Sequence, residues 1–154
     1  MSPSTEIAFY AITAMLFFLA SLFSREDEWV SSVGSTGCLL VFWAINNAMW
    51  MLASIRSWSL STDTFFTTAA FMVFLVTRRR WALLLSILYA IDVAVDHAYM
   101  IGRIGYVIWA EIENAAFIAQ LAAASYPGWS AMLGVRRSPP LAQTPAAVAL
   151  DPSF

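Results

Sequence analysis

The run Asp92-Val-Ala-Val-Asp-His-Ala-Tyr-Met-Ile-Gly-Arg103 sets two carboxyl groups, the chain's one histidine and an arginine in otherwise apolar sequence. Glu111, Glu113 and Asn114 interrupt the next apolar run, and Asn46 and Asn47 an earlier one. Carboxyl groups with an imidazole in an apolar setting are the parts from which proton relays and intramembrane cation sites are built, because each can exchange a proton or ligate a hard cation. Asp92, Asp96 and Glu111 are the candidate relay groups or ligands. His97 is a proton donor or acceptor, and Arg103 an electrostatic modulator. Asp92 and Asp96, four residues apart, could offer oxygen ligands to a metal together with His97 or Glu111. One His and a single Cys38 leave no set suited to zinc, copper or haem, so neither a metal nor any other cofactor is expected. No GxSxG, HExxH, P-loop or dinucleotide fingerprint is present, and a non-enzymatic protein is expected, an intramembrane hydrolase pairing Asp92 with Asp96 being the enzymatic alternative.

What positions these groups follows from composition. Hydrophobic residues make up 60% of the 154 positions and charged residues only 12%, with a mean hydropathy of +0.70. Soluble domains carry about 25% charged residues, so lipid is the expected solvent for most of this surface. The chain has no Lys, and eight Arg stand against ten acids, which leaves no basic patch for nucleic acid. One cysteine excludes an intrachain disulfide, and Cys38, beside Leu39 and Leu40, reads as a small core residue. The N-terminal residues lack the positive region of a secretory signal, so the first apolar run is expected to be retained as a span.

Five apolar segments, about 7–23, 33–55, 60–77, 81–101 and 104–126, approach or exceed the ~17–25 residues that a helix needs to cross a ~30 Å hydrocarbon core. The expected fold is all-α, a polytopic transmembrane helical bundle over residues 1–133. The third segment is the weakest because it opens with Asp63 among threonines, and four spans is the alternative. Short connections make spans two to five antiparallel neighbours. The loop "SREDEWVSSVGST" alone has room for surface structure, and its acids Glu26, Asp27 and Glu28 read as a solvated turn. Residues 134–154, rich in Pro and Ala, read as a disordered tail.

Arginine sets the orientation. Arg25, Arg78, Arg79, Arg80, Arg136 and Arg137 fall on one face of a five-span chain, and Arg56 and Arg103 on the other. The positive-inside rule then predicts the N-terminus outside and the C-terminus in the cytoplasm, with a bacterial inner membrane as the expected location. Trp29, Trp58, Trp81 and Trp129 stand near span ends as interfacial anchors, whereas Trp43, Trp50 and Trp109 read as packing residues.

At about 1.5 Å of rise per residue from the outer face, Asp96 lies roughly 7–8 Å deep, and Asp92, Glu113, Asn114, Asn46 and Asn47 roughly 12–15 Å. Glu111 comes at about 10 Å, and Thr67, Thr68 and Thr13 at about 9–12 Å. A polar layer in the outer half of the bundle is predicted, with Asp92, Asp96, Tyr99 and Arg103 on one stripe facing Glu111 and Asn114. Glu111 and Glu113 lie about 200° apart on their helix, so both cannot face one small site, and Glu113 aligns with Gln120 instead.

Four intramembrane acids could cost roughly 10 kcal/mol unless paired, protonated or hydrated. Asparagine and threonine serve as helix-to-helix glue at lower cost, so the carboxyl groups carry the functional expectation: a proton or cation pathway. The alternative is a pore former or an accessory subunit of a membrane complex whose polar face is buried by a homo-oligomer or another partner. In general design, with its short loops and polar tail, such a chain resembles small phage holins, although five spans exceed their usual number.

Overall fold

The computed structural model describes residues 3–53 and 57–135. Within them the apolar runs fold into five helices: α1 (Pro3–Ser21), α2 (Glu26–Ala53), α3 (Ser57–Thr77), α4 (Arg80–Met100) and α5 (Tyr106–Met132). The described residues contain no strand. Three helical stretches are long and apolar enough to cross a membrane: Glu26–Ile45, Arg80–Met100 and Tyr106–Met132. The apolar stretches of α1 (Ile7–Ser21) and α3 (Asp63–Thr77) are shorter. The side chains of Asn46 and Asn47 and those of Trp50 and Trp58 lie outside the described residues, as do Arg56 and residues 136–154.

Glycines end two of the helices. Gly102 (φ 73°) lets α4 close with its N–H on Tyr99 O and the Arg103 N–H on Ala98 O, and Gly134 (φ 65°) closes α5 in the same way on Ala131 and Ser130. The turn at Gly102 takes Arg103 off the helical stripe of Asp92 and Asp96. Arg78 closes α3 with a positive φ of 52° and no glycine, its guanidinium 6.0 Å from the Phe74 ring.

α5 packs against α1, α2 and α4; α3 lies against α4, α1 against α2, and α2 also touches α3. Small residues let helix backbones approach closely. The α5 stripe Ala116, Ala123, Ala124, Pro127 and Gly128 meets Ala14, Ala20 and Ser21 of α1 and Ser32 and Thr36 of α2, all buried or nearly so. Ser32 Oγ donates to the Ala124 carbonyl at 2.7 Å. A Cβ on Gly128 would collide with the Ala20 carbonyl oxygen and stand 2.6 Å from the Ala20 carbonyl carbon, so only glycine fits there. Large apolar side chains cover the outside: Phe65 is 67% and Val76 82% exposed. That surface suits lipid and not water.

Several expectations change. α2 begins at Glu26, so the acidic segment is its first turn and not a solvated loop. Arg79, between α3 and α4, reaches Asp27 at 3.2 Å and Glu28 at 3.1 Å, and Glu28 is buried. Acids in a first helical turn also meet the favourable end of the helix dipole. Arg79→Ala would strand Glu28 and is expected to cost about 1–3 kcal/mol, between the values for exposed and buried pairs. Chemical unfolding in detergent measures this, and a change below a few tenths of a kcal/mol would show the pair to be idle.

Cys38 is exposed on the bundle surface, not in the core. Trp81 is 95% withdrawn from the surface and belongs to the core, not to an interfacial belt. Thr67 and Thr68 donate to Asp63 and Thr64 carbonyls of their own helix, the usual outlet for a hydroxyl four residues on, and bind no neighbouring helix through those contacts. α5 runs through Pro127 to Met132, six residues past the expected end.

Candidate functional site

Each of three helices turns one carboxyl-bearing face inward. On α4, Asp92 and Asp96 share the buried side with Leu85 and Tyr89. On α3, Asp63 follows the heptad-like spacing of Phe66, Ala70 and Phe74, which pack into the same core. On α5, Glu113 lies in line with Ala116, Gln120, Ala124 and Pro127, the small-residue stripe that sets the rotation of that helix. Close packing along the stripe carries Glu113 inward with it.

The result is a cluster of four carboxyl groups. Asp63, Asp92 and Asp96 are 6%, 5% and 2% exposed. Asp96 accepts from Trp109 Nε1 at 2.6 Å, and Asp63 and Glu113 both stand within hydrogen-bonding reach of Asp96. Asp92 accepts through Oδ2 from Gln120 Nε2. Its Oδ1, and Oε1 of Glu113, are buried with no protein partner. Tyr89 stands near both Asp63 and Asp92.

Aromatic rings bound the cluster. Trp109 stacks on Tyr99 with centroids 5.0 Å apart and touches Tyr106 at 5.6 Å, forming a cap beside Asp96 at the α4–α5 turn. Phe66 stacks on Tyr89 at 5.8 Å, and Phe117 on Trp43 at 5.8 Å, deeper along the helices.

The charged groups acting on Asp63, Asp92 and Glu113 are carboxyl groups of the same cluster, Asp96 acting on all three. A carboxylate only accepts hydrogen bonds, so every carboxyl-to-carboxyl bond needs a proton on one partner. Four acids so placed can therefore hold and share protons. Among the described residues, no group of three or more His, Cys, Asp and Glu has the arrangement of a metal site.

The expected residues divide. Asp92, Asp96 and Glu113 come together. Glu111, the expected partner of the aspartates, is exposed on the opposite side of α5; His97 and Arg103 are exposed, and Asn114 is half-buried without a place in the cluster's contacts. The roles of Glu111 and Glu113 are thus exchanged, because Gln120 and the small residues fix which face of α5 is inward. Three participants lie outside the residues expected at the site: Asp63, which in sequence only weakens a span; Trp109, which reads as packing; and Gln120, which aligns with Glu113. That alignment is a sequence signal for Gln120 alone; Asp63 and Trp109 carry none.

No protein-family model, curated protein or solved structure matches the chain. Function therefore rests on the geometry of the site.

Proposed function

We propose that this chain is a small integral membrane protein whose buried carboxyl cluster binds and passes protons. The observation that carries this reading is the convergence of the Asp63, Asp92, Asp96 and Glu113 carboxyl groups in the interior of the bundle. Where helices need only to be held together, amides and hydroxyls suffice, and buried acids are the expensive choice. Two carboxyl oxygens with no protein partner, on Asp92 and Glu113, suit entry of water, which would connect the cluster to one face.

In this reading all five helices lie in the bilayer, with α1 and α3 completing the bundle around the three long apolar helices. The N-terminus is outside and the C-terminus in the cytoplasm of a bacterial inner membrane, following the arginine distribution. The pairing of Arg79 with Asp27 and Glu28, which joins the α1–α2 and α3–α4 connections, supports a reading of alternating spans.

A second reading, an oligomeric pore former or accessory subunit, draws on exposed Glu111 and His97, two polar groups on the outside of apolar helices. A second copy or another subunit would cover them.

Proton flux into vesicles holding a trapped pH-sensitive dye tests the first reading. An imposed gradient should collapse faster with the native protein than in empty vesicles, and Asp96→Asn should slow it at least tenfold, since loss of one carboxyl breaks the proton-sharing hub. Equal flux in native and variant vesicles sinks the relay. Leakage of the dye itself would favour the pore former.

A further inference from the structure

A groove of about 640 Å³ runs along the outside of α4 and α5 at the arginine-rich end, away from the carboxyl cluster. Glu28, Arg79 and Arg80 stand at one end, and the walls are apolar down to Leu88 on α4 and Ala119 on α5. From Arg80 to Leu88 the helix rises about 12 Å, and from Ser130 to Ala119 about 16 Å. Half of a ~30 Å hydrocarbon core is about 15 Å, the depth of one leaflet. With α4 and α5 read as spans, the groove follows the bilayer normal and is as long as one leaflet's acyl chain. Its volume lies within the range of ligand sites, about 300–1,000 Å³.

Charge specifies the other end of the occupant. Arg79 is engaged by Asp27 and Glu28, whereas Arg80 is exposed beside them and adds positive charge at headgroup level. The Trp81 ring adds to the apolar lining of the groove. An exposed cation above an apolar slot complements a phosphate above a hydrocarbon chain.

We infer that this groove is a binding site for an anionic phospholipid of the leaflet at the arginine-rich face, headgroup at Arg80 and one acyl chain between α4 and α5. The inference rests on the reading of α4 and α5 as membrane spans and is independent of the proton reading.

Native mass spectrometry of the full chain, released from membranes in mild detergent and offered equal phosphatidylglycerol and phosphatidylcholine, tests it. Resistance of the membrane-bound protein to alkaline extraction, read on the same preparation, reports separately whether the helices span. The native chain should retain phosphatidylglycerol about fivefold over phosphatidylcholine, as expected for one arginine at the headgroup level. Arg80→Gln should bring that ratio near one with proton flux unchanged, and Ala122→Trp, which fills the groove, should remove both adducts. A ratio near one in the native chain overturns the inference, as does a preference that survives Arg80→Gln. Two-chain species without lipid that Ala122→Trp splits into single chains would overturn it too, by assigning the groove to a second copy. Arg80 is exposed, so its variant keeps the test decisive should Ala122→Trp fail to fold.

Discussion

Gly128→Ala is expected to undock α1 from α5 and to lower the unfolding free energy by about 3 kcal/mol or more, at the top of the range for overpacking. The added Cβ meets backbone, the Ala20 carbonyl group and Ser21 Cα, and no side-chain rotation relieves that contact. Either α1 moves outward or α5 turns. Both moves open the interface where Ala123, Ala124 and Ser125 are buried, and Ser32 would lose its bond to the Ala124 carbonyl. Unfolding monitored by helix content in mixed detergent measures the loss. Gly34→Ala is the control, since a Cβ there meets nothing within 4 Å and the change should raise helix stability slightly. Equal behaviour of the two variants would refute the close α1–α5 contact.

The second large effect separates two glutamates that lie two positions apart. Glu113→Gln is expected to reduce proton flux at least tenfold, because it replaces a proton-exchanging group of the cluster by an amide. Glu111→Gln, on the exposed side of the same helix, should leave flux within about twofold of native, as surface changes away from a site usually do. Vesicle flux at matched protein content decides the matter. The reverse order of effects would mean that the outer surface of α5 carries the pathway, as it would in an oligomeric pore.

How far the site was legible depends on helix rotation. Segment length and the short α4–α5 turn lead one to expect Asp92, Asp96 and Glu113 at similar levels of an antiparallel pair, and simple helical rise suffices for that. Rotation is different, because α4 and α5 are apolar on nearly every side and periodicity gives no strong inward direction. On α5 it is set by Gly128 and its neighbouring alanines, whose tight packing against α1 and α2 turns Glu113 inward and leaves Glu111 outside. Asp63 escaped notice for a related reason: as part of a single segment it only weakens the case for a span. Its contribution exists only where α3 meets α4 and Asp96. Trp109 shows the same limit, since an indole in an apolar run reads as packing until its N–H is seen to face a carboxylate. The first turn of α2 reads as a solvated turn in sequence because Arg79, the partner of Asp27 and Glu28, arrives from beyond two helices.

The central claim is that the carboxyl cluster holds exchangeable protons. Infrared spectroscopy of the protein in lipid vesicles addresses it directly, through the stretching band of protonated carboxyl groups before and after mixing with D2O. A band that shifts promptly on deuteration, while amide exchange in the core helices is still slow, and that Asp96→Asn displaces or removes, is the predicted result. A band that stays in place as long as the core amides do, or one indifferent to Asp96→Asn, would contradict the account and leave Asp63, Asp92, Asp96 and Glu113 as dry structural contacts.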